Sequence, residues 1–368
     1  MDQLLTQANH IIRKNRPLDK TPVIITFRRD RFLQLTLQTS GCRYSEAGSC
    51  CMCNYGKGTT PNVQDIKTAM DQICSSRDFI ESDQVLLGAS GSFLDDYEVS
   101  EEIQFYMMQR LSQSDKKEIF LETHYKSINQ AKLTKIHKLF PDQIVHIEMG
   151  LETVTKELQE KVLNKEILLE ELKKTIAQIH HAGLFVSLNI LLGIPFLSLN
   201  EQISDTIKSI EWSVDNGADY IVIFPINIQP FTLFEWWYLQ GYISIISPWM
   251  LVELLLHLTD KELKRVCLSW YGNRYITYSE QQKTIVPYSC PVCQPELLSF
   301  FNNFSANYNI KYRKQKLQQI YKFPFSCKCR ENLHNTLRKK NAPKTSLKSA
   351  RDDIESWINK YGINRSNL

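Results

Sequence analysis

Four of the ten cysteines in this chain crowd into one short stretch, SGCRYSEAGSCCMCNYGKG, and four more form two pairs near the other end. Cys42, Cys50 and Cys53 are separated by seven and then two residues, with Cys51 beside the second of them. Three thiolates on one loop can ligate three irons of a [4Fe–4S] cluster and leave the fourth iron open for an exchangeable ligand. S-adenosylmethionine (SAM) can chelate such an iron through its amino and carboxylate groups. An electron from the cluster then cleaves its sulfonium to a 5′-deoxyadenosyl radical. Cys51 is a competitor ligand, although an adjacent pair cannot easily aim both thiolates at one cluster. Zinc is the alternative on this loop, with Cys51 as a fourth ligand. Gly41, Gly48, Gly56 and Gly58 supply turns around a bulky group.

The later cysteines are Cys290 and Cys293, two residues apart, and Cys327 and Cys329, one residue apart, with 33 residues between the pairs. Two such pairs can close a tetrahedral thiolate site. Structural zinc is the leading reading, because four protein thiolates leave no open position; an auxiliary iron–sulfur cluster and coincidence are the alternatives. The site would staple a small C-terminal lobe.

Something must hold these loops. The first two-thirds of the chain alternate short apolar runs with amphipathic segments. Strands are predicted at Leu33–Thr39, Gln84–Leu87, Glu118–Leu121, Gln143–Met149, Leu184–Leu191 and Tyr220–Ile226. Helices are predicted at Val63–Ser75, Val99–Leu111, Ile128–Leu139, Ile167–His181 and Asn200–Val214. This alternation fits an α/β fold with right-handed crossovers, either an open doubly wound sheet or a barrel. The cysteine loop follows the first predicted strand, the end of a β/α barrel where active sites collect. We therefore expect a partial (β/α)6 TIM-type barrel over 22–230, preceded by an extension at 1–21. A smaller cysteine-containing lobe with a basic tail follows at 231–368. After residue 230 the alternation stops, an aromatic-rich segment follows, and Pro248 is placed to start a helix running through Leu263.

Composition excludes several classes. Hydrophobic residues at 43% and charged residues at 23% rule out a mostly disordered chain or a coiled-coil rod. No apolar run is long enough for a membrane helix, and the N-terminus lacks a signal-peptide pattern, so a cytoplasmic location is expected. The net charge of +4 is unevenly spread: residues 311–351 hold 13 Lys or Arg and the single acid Glu331, so the rest of the chain sums to −8. That stretch is either a solvated tail or a surface for a phosphate backbone.

The cysteine loop resembles that of radical SAM enzymes, and more narrowly that of the archaeosine-biosynthesis radical SAM proteins (RaSEA). The likeness continues through GASGSFLDDYEV (Gly88–Val99), IEMGLET (Ile147–Thr153), LNILLGIPFLSLNE (Leu188–Glu201) and FPINIQPFTLFEWWYLQG (Phe224–Gly241), over roughly residues 20–330. The resemblance implies Cys42, Cys50 and Cys53 as cluster ligands, and Gly88, Ser90, Gly91 and Ser92 as a turn near the methionyl amino group of SAM. It implies Glu122 at the ribose hydroxyls, and Gly150, Glu152 and Asn189 lining the SAM pocket. The chain departs from the pattern at Cys51, at Met52 and at His124, which stands where an arginine is usual; a neutral imidazole cannot make a bidentate guanidinium pair.

What the resemblance implies for function is a carbon–nitrogen lyase. It would act on a lysine-modified deazaguanine base in tRNA, after a partner enzyme installs the lysine and with a reducing electron donor. The 311–351 region would meet the tRNA. A radical SAM lyase or transferase working on a free small molecule such as an amino acid is the rival enzyme reading. A zinc-bearing RNA-binding module with a vestigial barrel is the non-enzyme reading.

Overall fold

The computed structural model describes residues 1–14, 16, 23–55, 59–269, 284–339 and 346–362. Gly56 and Gly58 of the cysteine loop lie outside these residues, as do the basic residues Lys340 and Lys344. One sheet of eight strands runs in strict sequence order: β1 (Ile24–Arg29), β2 (Phe32–Leu37), β3 (Gln84–Ala89), β4 (Glu118–Glu122), β5 (Ile144–Glu152), β6 (Phe185–Leu192), β7 (Tyr220–Pro225) and β8 (Val266–Leu268). β1 and β2 form an antiparallel hairpin, turned at Asp30 (φ 51°), and every later pair is parallel. The six predicted strands are β2 to β7. One strand is added at each edge.

Parallel neighbours need crossovers, and helices supply them. A first helix, α1 (Gln3–Lys14), precedes the sheet; α2 (Val63–Cys74), α3 (Glu101–Ser112), α4 (Gln130–Leu139), α5 (Leu169–His181) and α6 (Leu199–Asp215) link β2 through β7. Their starts follow capping chemistry: the side chains of Asn62, Asn129 and Ser198 each accept a backbone N–H of the first turn, and Ser198 with Glu201 completes a capping box. Beyond β7 come α7 (Leu233–Leu239), α8 (Trp249–His257), α9 (Gln294–Ala306), α10 (Ile310–Lys322), α11 (Cys329–Arg338) and α12 (Leu347–Gly362). The helix expected from Pro248 through Leu263 breaks at Leu258, because Thr259 and Glu262 form a new capping box for Asp260–Leu263.

Alternation along the strands sorts the two faces. On β2, Leu33, Leu35 and Leu37 are fully buried against the helices, while Phe32, Gln34 and Thr36 point the other way, into a cavity of about 960 Å³. That cavity is lined from all eight strands, so the sheet is curled into a partial barrel. The barrel edges are bridged by a side chain: Arg29 Nη1 of β1 donates to the Leu268 carbonyl of β8 at 3.2 Å.

The main core lies between the sheet and its helices, and it continues into Leu297, Phe301, Phe304, Leu317 and Leu333 beyond residue 230. A second core packs Leu5 and Ala8 of α1, Cys51, Phe234 and Trp237 of α7, and Ala350 and Ile354 of α12. The segment from 347 is thus a packed helix rather than a solvated tail, and Arg351 donates to Asp2 at 2.9 Å. Ile354→Ala, at a fully buried position, is expected to cost about 2–4 kcal/mol. A thermal melt should fall by several degrees, with faster proteolysis of α1; an unchanged melt would mean that α12 does not support α1.

Candidate active site

The cysteine loop leaves the C-terminal end of β2 and is held from three sides. On the first, Cys42 caps the short helix Arg43–Glu46, its Sγ accepting the Ser45 N–H at 3.3 Å. Gly91, in the turn after β3, lies so near that a Cβ there would be 2.1 Å from Cys42 Cβ, so no larger residue fits without displacing the loop. On the second side, the Arg13 guanidinium of α1 donates to the carbonyls of Ser45 (2.7 Å), Ser49 (2.7 Å), Cys50 (2.8 Å) and Cys53 (3.0 Å). On the third, the carbonyls of Leu163 and Asn164 accept the N–H groups of Cys51 (2.8 Å) and Cys50 (3.1 Å). Cys50 and Asn164 both take left-handed backbone, at φ 59° and 50°.

Cys42, Cys50 and Cys53 line the cavity, and Cys51 turns the other way. Its Sγ is buried in the second core and accepts from Asn9 Nδ2 at 3.6 Å. Burial pushes the Cys42 thiol up to about 11 and raises Cys50 and Cys53 as well. A metal bound by such thiols displaces their protons. Among the described residues, the tight sulfur group is a different one: Cys290, Cys293, Cys327 and Cys329, with all four Sγ atoms within 4.8 Å of one another. Cys42, Cys50 and Cys53 are instead three thiols of one loop lining one cavity, the number that a four-iron cluster with one open iron takes from a protein. The donor set therefore fits a [4Fe–4S] cluster.

Ser90, Gly91, Ser92, Glu122, Gly150, Glu152 and Asn189 line the same cavity; Gly88 does not. Gly88 instead makes room, since a Cβ there would stand 2.9 Å from Glu122 Oε2. The Ser90–Ser92 turn is set by Glu98, which sequence reasoning missed. This buried carboxylate accepts the Gly91 and Ser92 N–H groups at 2.7 Å each and the Thr39 hydroxyl at 2.6 Å. Desolvation raises its pKa, and those three bonds work against the rise. Asn189 Nδ2 donates to Glu148 at 3.1 Å.

Lys165 was also missed. It follows Asn164 and reaches back to the Gly150 carbonyl at 3.2 Å and Glu152 Oε1 at 2.6 Å, beside Cys50. Burial opposes its charge, yet its pKa stands above the ordinary value, with the Glu152 carboxylate first among the neighbours that raise it. The only sequence signal was a lysine a dozen residues after IEMGLET, which no periodicity singles out. His124 lines the cavity too, stacked on Tyr44 at 4.2 Å between ring centres, with Nδ1 accepting the Lys126 N–H at 3.2 Å.

No protein-family model matches the chain. Archaeosine synthase subunit beta of Methanosarcina acetivorans is 22% identical over 281 residues, 75% of this chain and 79% of that one. The protein of the same name from Thermococcus kodakarensis is 28% identical over 213 residues, 55% of this chain and 64% of that one. The chain resembles the archaeosine-biosynthesis radical SAM proteins. An uncharacterized protein of Methanocaldococcus jannaschii is 26% identical over 271 residues, 69% of this chain and 73% of that one. Among solved structures, methylornithine synthase superposes with a TM-score of 0.45 at 15% identity, over 90% of this chain and 91% of that one.

Burial, aided by the Lys165 and Lys126 charges, holds His124 neutral, with its pKa down to about 3. The unfolded chain takes up this proton near pH 6.5 and the folded chain only near 3, so acidification through that interval removes stability. The His124 ring resonances are therefore expected to stay flat between pH 8 and 5; a titration midpoint near 6.5 would contradict this environment.

Proposed function

We propose that this chain is a radical SAM enzyme, a carbon–nitrogen lyase acting on a lysine-modified deazaguanine base in tRNA. The observation that carries the reading is the separation of the four loop cysteines, three into the barrel cavity and Cys51 away from it. Cys42, Cys50 and Cys53 would hold a [4Fe–4S] cluster. When bound, that cluster supplies the electron that opens SAM to a 5′-deoxyadenosyl radical.

The chain's own residues then bind and orient. Ser90, Gly91 and Ser92, in a turn held rigid by Glu98, offer small-residue backbone to the methionyl amino group, with Gly88 giving Glu122 its room. Glu122 is suited to the ribose hydroxyls, and Gly150, Glu152 and Asn189 to the rest of the nucleoside. Neutral His124 cannot pair with a carboxylate as an arginine would. Lys165 is a buried cation lining the same cavity, and we assign it that contact.

The tRNA assignment rests on the two relatives named archaeosine synthase subunit beta and on the basic lobe. Over α10 and α11, Lys311, Lys316, Lys322 and Lys328 face solvent or lie near it, and Glu331 is the one acid. The relatives' name as a subunit supports a partner that installs the lysine. An external reductant completes the set. No helix among the described residues is long and apolar enough to cross a membrane, and we place the enzyme in the cytoplasm.

Three variants and one assay test this. Cys50→Ala should lose the cluster absorbance near about 400 nm and all 5′-deoxyadenosine, and Cys51→Ala should keep both. Lys165→Met should weaken SAM binding by about 10- to 100-fold, the worth of one charge-assisted bond. Anaerobic incubation with SAM, dithionite and lysine-modified tRNA should release the lysine fragment. Turnover of free lysine derivatives alone would replace the tRNA reading with a small-molecule lyase or transferase.

A further inference from the structure

The second cysteine group lies outside the cavity and takes no part in the site described. Its geometry is nonetheless specific. All four Sγ atoms fall within 4.8 Å of one another, and those of Cys290 and Cys293 are 3.7 Å apart. Thiolates about 2.3 Å from one tetrahedral ion must stand about 3.8 Å from each other. The outer thiolates of a four-iron cube stand about 6 Å apart, so an auxiliary cluster does not fit this spacing. The group is also braced from outside: Trp249 Nε1 of α8 donates to Cys293 Sγ at 3.4 Å, and Ser289 Oγ lies 2.9 Å from the same sulfur.

Two helices start at these ligands. Cys293 immediately precedes α9, whose 13 residues span about 20 Å. Leu297, Phe301 and Phe304 on α9 are fully buried in the main core. At its far end, Asn302, Ser305 and Ala306, with Tyr308 just beyond, line the cavity, and Ser305 Oγ accepts the Leu268 N–H of β8 at 3.1 Å. Cys329 opens α11, whose Leu337 carbonyl accepts Asn200 Nδ2 at 2.7 Å on the first turn of α6. That turn follows β6, at the barrel end where the cysteine loop lies.

We propose that Cys290, Cys293, Cys327 and Cys329 hold a single zinc ion that anchors α9 and α11 as struts, fixing the cavity wall at one end and the barrel rim at the other. Zinc suits four closed thiolates because it has no geometric preference of its own and no redox chemistry to expose. The ion closes the 33-residue gap between the cysteine pairs into a loop, which restricts the unfolded chain as a cross-link does. The proposal is independent of the radical chemistry, except that the wall it steadies is that of the proposed active site.

The test uses the full chain in two forms: the natural sequence, and a Cys42→Ala/Cys50→Ala/Cys53→Ala variant that removes the proposed cluster ligands. Metal analysis should find one zinc per chain in both. Cobalt grown into the variant should give the intense visible bands of a tetrahedral tetrathiolate. Four extra irons per chain in the variant, or zinc absent from both forms, would overturn the site. Stripping zinc from the variant with a chelator removes the ion while leaving all four cysteines in place. Hydrogen exchange should then quicken at 297–308 and 330–337 while β3 to β6 stay protected. Exchange that quickens only next to the cysteines would overturn the strut. Loss of iron from the natural chain, with zinc retained, would count against the proposed function alone.

Discussion

The architecture of the site depends on satisfying the backbone of a loop that has almost no secondary structure of its own. Between Gly41 and Tyr55 the described chain makes one four-residue helix and a few local turns, so several of its carbonyls take donors from outside the loop. Arg13 meets four of them with one guanidinium, a fixed fork that a lysine could not reproduce. Because Arg13 sits on α1, the N-terminal helix is part of the site's foundation. Because α1 packs on α7 and α12, so is the C-terminal helix. The two ends of the chain are drawn together over the cysteine loop by this one need.

The same economy explains the acids and bases behind the cavity wall. A glycine turn close to a ligand has weak intrinsic preference, and Glu98 fixes it by accepting two adjacent N–H groups at once. Lys165 and Glu152 are both largely buried, and each makes the other's charge tolerable. Such a pair is a poor source of stability, yet it holds a cation beside the thiols in a fixed orientation. The wall is thus preorganised by charged groups whose partners come from other strands and loops.

This pattern marks what the sequence could and could not disclose. The strands β2 to β7 and the helices between them were legible to within about two residues at most ends, because alternation and capping are local. The edge strand β1 was hidden: its inner face carries Phe27 and Arg29, so IITFRR shows no clean alternation. β8 has only three residues and is held by pairing with β7, which is not local. The cysteine spacing was legible as chemistry, since ligand count and loop length are written in the chain. Arg13, Glu98 and Lys165 were not, because each acts on residues brought near by topology; Arg13 alone bridges 32 to 40 positions. The basic segment misled in part: its end is α12, whose Ala350 and Ile354 are core residues.

The two cysteine groups use the same side chain under opposite constraints. The first must spread three thiols around a space and leave a way in, so it is a long loop with left-handed turns, held open by bonds from outside. The second brings four sulfurs to within 4.8 Å of one another, from two tight pairs beside the starts of α9 and α11. There the Cys293 N–H is the foremost influence bringing Cys290 down to about 6. Burial pushes the cavity thiols up, whereas in the second group neighbouring sulfurs share their protons, with Cys290 drawn down and Cys327 pushed up to about 12. If both groups hold the metals proposed, spacing rather than residue type is what keeps their ligands apart.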